Sequence, residues 1–128
     1  MSDEAAIAAV RRWFAHPAAA LLHPQVHWRI CPGMGVEPTV YVGPDDVMGV
    51  LWPALHARFS YWSQKADEMI AADGGRVVVR GRIIAQTRDG RRLSACFIDI
   101  VTVSDGLIVA VDSVADTATL MPDATHAR

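Results

Sequence analysis

The second half of the chain is a series of strand-like segments separated by pairs of turn residues. From about Ser63 onward the interruptions are Gly74-Gly75, Asp89-Gly90 and Asp105-Gly106. Such pairs are typical of β-hairpins, which join antiparallel neighbours. We therefore predict a long antiparallel meander, and this limits the chain to folds in which one sheet forms most of the domain.

The first half of the chain supplies helices. Residues 3–15 carry apolar side chains at helical spacing, and short strands are predicted at 26–30 and 39–42. A second, longer helix is predicted to begin at Asp45-Asp46 and to carry its apolar pattern as far as Trp62. Pro53 lies within this pattern and should kink the helix, because proline lacks a backbone donor.

Together these elements predict a single α+β domain spanning residues 1–128. Two or three N-terminal helices would cover the concave face of a curved, mostly antiparallel sheet. Either side chains or a ligand must fill the space between them. The last residues, 119–128, are polar and predict a frayed tail.

Composition excludes several classes of function. The chain is 52% hydrophobic and 20% charged, with a formal net charge of −2, so it is globular and has no basic surface for nucleic acid. No apolar run is long enough to span a bilayer and no signal-peptide pattern is present, so we expect a cytoplasmic protein with no membrane partner. The two cysteines lack metal or redox spacing and the histidines form no ligand cluster, so neither a metal nor a cofactor is expected.

One charged residue interrupts an otherwise apolar strand. In the segment ACFIDIVTV, residues 95–103, Asp99 lies between apolar neighbours. A buried carboxylate must find a cation, find hydrogen-bond donors or keep its proton. If Asp89-Gly90 forms a two-residue loop, Arg80 lies directly opposite Asp99. We therefore expect an Arg80–Asp99 pair, which either holds the sheet together or serves as a catalytic pair.

The next turn leaves two alternatives open. A two-residue loop at Asp105-Gly106 puts Asp112 opposite Asp99, which would make a row of one arginine and two aspartates. A three-residue loop with a glycine bulge puts Val111 there and sends Asp112 to the other face.

Several motifs resemble those of a known superfamily. YVGPDDV opens the long helix, GGRVVVRGR and FIDIVTVSDGLI follow in the meander, and the final strand ends in VAD. Over about residues 3–120 this layout resembles the nuclear transport factor 2-like (NTF2-like) superfamily, in particular its SnoaL-like and ketosteroid isomerase-like branch. The resemblance implies a cone-shaped half-barrel with a pocket between helices and sheet, and a homodimer formed through the outer sheet face. The superfamily includes isomerases, polyketide cyclases, dehydratases, epoxide hydrolases and non-catalytic binders.

The resemblance also implies roles for individual residues. Arg80 and Arg82 match family positions that face the pocket. Asp99 matches the position where ketosteroid isomerases keep a protonated acid that donates a hydrogen bond to the substrate oxygen. A neighbouring arginine would lower the pKa of Asp99 and favour the ionised form.

Other positions depart from the family patterns. Cys31 stands where the isomerases carry their catalytic base, and Trp13 stands where they carry an oxyanion-binding tyrosine. Ser113 replaces the last-strand aspartate of the limonene epoxide hydrolase-like members. Ordinary ketosteroid isomerisation is therefore not expected here, and the usual epoxide-opening triad is broken unless Asp99 and Asp112 rebuild it from other strands.

These observations lead to two hypotheses. The first is a cofactor-independent acid/base enzyme of the isomerase, cyclase, dehydratase or epoxide hydrolase type, which acts on a hydrophobic, oxygenated small molecule through Asp99 and Arg80. His56, Arg82, Asp112 and Cys31 are further polar candidates. The residues expected to line the pocket are Trp13, Trp28, Tyr41, Trp52, Phe59, Phe97, Val111 and Ser113. The second hypothesis is a non-catalytic small-molecule binder or dimeric assembly module with Arg80–Asp99 as a structural ion pair. The volume of the cavity should discriminate between the two hypotheses: a cavity below about 100 Å³ on the face that carries Arg80 and Asp99 would contradict the enzyme, since small-molecule sites typically measure several hundred.

Overall fold

A computed structural model describes residues 2–122. The helices are α1 (Asp3–Ala15), α2 (Pro44–Asp46), α3 (Trp52–His56) and α4 (Thr117–Leu120), with a π-helical turn at Val47–Leu51 joining α2 to α3. The strands are β1 (Leu22–Ile30), β2 (Val40–Val42), β3 (Phe59–Ala72), β4 (Arg76–Thr87), β5 (Arg92–Ser104) and β6 (Leu107–Ala115). No helix in the described range is long and apolar enough to cross a membrane.

The six strands form one curved, unclosed sheet in the order β2-β1-β6-β5-β4-β3. Every neighbouring pair is antiparallel except β1 and β6, which are parallel. The predicted α+β class and the mostly antiparallel sheet are confirmed. The predicted frayed tail is wrong at its start, since α4 buries Leu120; residues 123–128 lie outside the described range.

Helix α1 forms where its sequence predicts. The Ser2 hydroxyl accepts a hydrogen bond from the Ala5 N–H at 3.1 Å, which satisfies one of the free donors at the helix start. Ala6, Ala9, Val10 and Trp13 recur at helical spacing and are buried against the sheet. This face of α1 places Trp13 over the concave side of the sheet.

The second helical segment ends earlier than predicted. Helical structure runs from Pro44 to His56, and the apolar residues beyond it belong to β3. Because Pro53 has no N–H to donate, the turn before it widens, and the Trp52 N–H bonds to the Val47 carbonyl five residues back. The chain then turns into β3, so Trp62 is a strand residue rather than a helix residue.

The register of β4 on β5 differs by one residue from the predicted one. Thr87 N–H bonds to the Arg91 carbonyl at 2.8 Å, so the loop has three residues, and Gly90 within it has φ +92°. Asp99 therefore lies opposite Val79, and Arg80 lies opposite Ile98. Since side chains alternate between faces, this shift moves Arg80 to the outer face. The predicted Arg80–Asp99 pair is wrong.

The register of β5 on β6 matches neither predicted alternative. The loop at Asp105-Gly106 does have two residues, because Ser104 pairs with Leu107. A β-bulge then adds one residue to β6 between Ile108 and Ala110. Ser113, rather than Asp112 or Val111, is consequently the residue opposite Asp99.

The concave face of the sheet is the core of the domain. The buried residues of β4 and β5 on this face are Val77, Val79, Ile83, Ala85, Ala95, Phe97, Asp99, Val101 and Val103. Gly81 lies among them, and a Cβ there would lie 2.1 Å from the Lys65 carbonyl oxygen and 2.7 Å from Cε1 of Phe97. Only glycine allows β3 and the Phe97 ring to approach β4 this closely.

The outer face carries ion pairs and exposed apolar residues. Arg80 pairs with Glu68 at 3.1 Å, Arg82 pairs with Asp67 at 3.0 Å, and Arg29 lies 3.7 Å from Asp112. All three pairs are well exposed, so they contribute little to stability. The exposed apolar side chains on neighbouring strands of this face include Ile98, Ile100 and Val114.

Candidate functional site

Asp99 is the only charged residue among 2–122 that is buried, with 3% of its surface exposed. It points to the concave face because Phe97 and Val101, two residues away on either side, do so as well. The hydroxyl of Ser113 hydrogen-bonds to its carboxyl group, while Oδ1 has no partner. A buried polar atom without a partner is costly and rare in native proteins, so this oxygen marks a place where a ligand or water is expected.

Burial raises the pKa of Asp99 to about 7, and the hydrogen bond from Ser113 offsets only part of this effect. The predicted lowering by Arg80 is wrong, because that guanidinium lies on the opposite face of the sheet. Near neutral pH the carboxyl group is therefore divided between its protonated and ionised forms. It can donate a hydrogen bond or a proton, which an ordinary surface aspartate cannot do at this pH.

Asp99 lines a small inner pocket. Its volume is about 20 Å³, which is room for one water molecule or one ligand oxygen. The polar residues lining it are Asp99, Ser113, Cys31, Gln64 and Trp62, and the remaining walls include Trp28, Trp52, Ile83 and Met34. The inner pocket is thus an apolar recess with a few convergent polar groups.

A larger chamber adjoins this pocket on the side of α1 and α3. Its volume is about 290 Å³, and its walls are Trp13, Phe14, Ala15, Pro17, Trp52, His56, Trp62, Ser63 and Gln64. Trp52, Trp62 and Gln64 line both the chamber and the inner pocket. The inner pocket that Asp99 lines is below the volume of about 100 Å³ predicted as the minimum for an enzyme, and only the chamber, which is close to the lower limit of small-molecule sites, has room for a substrate.

Packed tryptophan rings hold the walls in place. Trp13 lies 5.2 Å from Trp28 and 5.5 Å from Trp52 between ring centroids, and Trp28 lies 5.9 Å from Trp52. The two contacts of Trp52 are edge-to-face, the arrangement that aromatic quadrupoles favour. All four tryptophans of the chain line the chamber, the inner pocket or both.

A second polar atom beside the inner pocket also lacks a partner. The Trp62 indole N–H is buried without a hydrogen bond, and Trp62 lines the same pocket as Asp99. Two residues able to donate hydrogen bonds, Trp62 through its indole and Asp99 through its protonated carboxyl, therefore line one space of single-atom size. An oxygen atom of a ligand would satisfy both.

The structure brings together only some of the predicted site residues. Asp99, Ser113, Cys31, Trp28 and Trp52 line the inner pocket, and Trp13, Trp52 and His56 line the chamber. The predicted pocket positions of Arg80 and Asp112 are wrong, since both are exposed on the outer face and line neither space. Arg82 is also exposed and lines neither the inner pocket nor the chamber. Tyr41, Phe59, Phe97 and Val111 are core residues that line neither space.

Two site residues were missed. Trp62 and Gln64 lie two apart on β3, so their side chains face the same way, toward the helices. The residues around Tyr61 favour a β-strand and could have indicated these two positions, but the segment was assigned to the end of the predicted helix. Within residues 2–122 no group of three or more potential ligands is arranged to hold a metal ion.

Comparison with known proteins identifies the fold. A family model described as SnoaL-like domain matches residues 4–111. An NTF2-like protein of unknown function from Burkholderia pseudomallei is 24% identical, with a TM-score of 0.76 over 92% of this chain and 94% of that one. TerC, crystallised with polyporic acid, is 22% identical, with a TM-score of 0.75 over 91% and 92% of the two chains. A Jannaschia protein proposed to be a SnoaL-like polyketide cyclase is 13% identical, with a TM-score of 0.72 over 88% and 86%. No match is found among curated proteins.

Proposed function

This chain belongs to the SnoaL-like domain family, and from that premise we propose that it is a cofactor-independent acid/base enzyme acting on a small, apolar, oxygen-bearing molecule. The observation that carries the proposal is Asp99, a buried carboxyl with one unpartnered oxygen that lines the inner pocket together with Trp28, Trp52 and Trp62. Two neighbours in fold carry proposed activities of this reaction class, the Jannaschia protein as a polyketide cyclase and a Bacillus subtilis protein as an isomerase.

In the proposed reaction, the substrate ring system occupies the chamber and a carbonyl oxygen enters the inner pocket. Protonated Asp99 and the Trp62 indole donate hydrogen bonds to that oxygen. They stabilise the negative charge that develops on it when a proton leaves the adjacent carbon. Donors fixed in an apolar recess are more effective than water, because they need no reorganisation.

His56 is the proposed base. Its ring lies 5.8 Å from the Trp52 ring, and it lines the chamber in which the substrate carbon would lie. Neutral imidazole takes the proton from the carbon next to the carbonyl, which leaves an enolate held by Asp99. The imidazolium then returns the proton to another carbon of the conjugated system, so that both groups regain their starting states and the product is an isomer.

A test needs only an enolisable ketone of suitable size. We expect the protein to accelerate deuterium incorporation from D₂O into 2-tetralone, followed by proton NMR. Asp99→Asn and His56→Gln should each slow exchange about 100-fold, the usual contribution of a positioned acid or base. His27→Gln is the matched control, because His27 is exposed on β1 and lines neither space. The proposal fails if both site variants exchange as fast as wild type.

A second candidate is a binding module that holds its ligand unchanged. It is favoured by the separation of the two polar groups, since Asp99 lines the inner pocket and His56 lines the chamber. TerC, a neighbour in fold, was crystallised with polyporic acid. Binding of 2-tetralone without any acceleration of exchange would support this candidate over the enzyme.

We also propose that the outer face of the sheet pairs with a second copy of the chain. Ile98, Ile100 and Val114 form an apolar strip that is 40–60% exposed. Arg80 and Glu68, with their opposite charges, lie on the same face. A copy related by a twofold axis would present both charges in return and cover the strip.

A further inference from the structure

An open groove of about 630 Å³ lies between α1 and β3, on the solvent side of the chamber. Phe14, Ala15, Ser63 and Gln64 line both the groove and the chamber. Gln64 also lines the inner pocket and so borders all three spaces. By these shared walls the chamber lies between the groove and the inner pocket that Asp99 lines.

The groove is more positive than the rest of the molecule. Four charged residues line it: Arg11, Lys65, Arg82 and Asp67. Asp67 neutralises Arg82 through two hydrogen bonds of 3.0 and 3.1 Å. Arg11 and Lys65 make no ion pair with any residue between Ser2 and Pro122. Two unmatched positive charges thus border the groove of a chain whose formal net charge is −2.

The chemistry changes in one direction along this path. It begins at two free cations, continues between tryptophan rings and ends at a single carboxyl oxygen with room for one atom. No cationic residue among 2–122 lines the inner pocket, so a carboxylate there would be buried without a counter-charge, which is unfavourable. The inner end therefore suits a neutral oxygen, and the groove suits a negative charge.

We propose that the ligand of this site is an aromatic acid whose carboxylate lies against Arg11 and Lys65 in the groove. Its ring system fills the chamber, and a neutral oxygen at the far end of the ring system reaches Asp99. This inference rests on the proposed function for the position of that oxygen. It adds the charge of the ligand, its location and the direction in which the molecule enters.

The test compares a carboxylic acid with its neutral ester. Binding of 6-hydroxy-2-naphthoic acid and of its methyl ester is measured by isothermal titration calorimetry at pH 6, where the probe carboxyl is ionised. The wild-type protein should bind the acid more tightly than the ester, and added salt should reduce the difference. Arg11→Gln and Lys65→Gln should each weaken acid binding about threefold to fivefold and leave ester binding unchanged.

Arg12→Gln is the matched control. Arg12 is the next residue on α1, is exposed and does not line the groove, so this variant should retain the wild-type ratio of affinities. The inference is overturned if acid and ester bind equally, or if the ratio of their affinities is unchanged in Arg11→Gln and Lys65→Gln. The exchange assay on 2-tetralone would then still decide the proposed function. Failure of both naphthalene probes to bind also overturns it. Acid selectivity combined with unaltered exchange in Asp99→Asn would uphold the charge of the ligand and refute the catalytic role.

Discussion

Replacing Asp99 with asparagine should change how the stability of the protein depends on pH. The pKa of Asp99 is about 7 in the folded protein and 3.8 for a free side chain. Between these values the folded state holds a proton that the unfolded state has released, so the free energy of unfolding falls as pH rises. The contribution of protonated Asp99 to the free energy of unfolding is complete below pH 3.8 and is lost by the time the pH has passed 7.

The size of the effect follows from the two pKa values. At about 1.4 kcal/mol per pH unit, ionised Asp99 costs about 4 kcal/mol relative to its protonated form. Most of this, about 3 kcal/mol, falls between pH 4.5 and pH 8. Asparagine has nearly the same shape and no titration in this range. The difference in stability between variant and wild type should therefore shift by about 3 kcal/mol in favour of the variant over that range.

Urea denaturation monitored by tryptophan fluorescence provides the measurement. Trp13 and Trp28 are buried, so unfolding changes their emission. Other carboxyl groups titrate as well: hydrogen bonds from Arg82 and Thr87 lower the pKa values of Asp67 and Asp89 respectively, so these two groups lose stabilisation as pH falls. Both are present in each protein, and subtraction removes their contribution. A difference between variant and wild type that stays constant from pH 4.5 to pH 8 would refute the raised pKa.

Three further predictions concern residues other than Asp99. Gly81→Ala should destabilise the protein by about 2–4 kcal/mol in thermal denaturation, because the new Cβ would overlap the Lys65 carbonyl oxygen. Gly49→Ala is the control, since a Cβ added there meets no neighbouring group within 4 Å, and it should be neutral or slightly stabilising. Arg80→Ala should leave deuterium exchange within twofold of wild type, since Arg80 lies on the outer face; a large loss would restore its predicted catalytic role. Ile98→Lys should shift the protein toward monomer in sedimentation equilibrium, whereas an unchanged molecular mass would remove the outer face as an interface.

Local signals predicted the elements of the fold but not their alignment. Helix α1 follows from its cap and its apolar spacing, and Asp99 was recognisable as a buried charge from its neighbours alone. The pairing of β4 with β5 depends instead on loop length, and Asp89-Gly90 is compatible with a loop of two or three residues. The deciding contacts come from Thr87, whose hydroxyl accepts the Arg91 N–H at 2.9 Å and bonds to the Asp89 carboxylate.

The one-residue error in the predicted register of β4 on β5 accounts for most of the errors at the site. It assigned Arg80 to Asp99 as a partner and so predicted a lowered pKa where the structure has a raised one. The second helix was predicted too long for a different reason: Phe59 and Trp62 continue a helical apolar pattern but lie in β3. Short apolar segments fit both periodicities, and tertiary packing decides between them.

The bulge in β6 has a consequence for comparing this chain with its homologues. A homologue lacking the extra residue would pair its last two strands without interruption and still place the residue equivalent to Ser113 opposite the aspartate. Alignment of such a homologue without a gap near Val109 would match its pocket position to Asp112 instead. The placement of one gap thus determines whether this chain is credited with one acidic group in the pocket, Asp99, or with two, Asp99 and Asp112, and two neighbouring carboxyls would share protons in a way that a lone one does not.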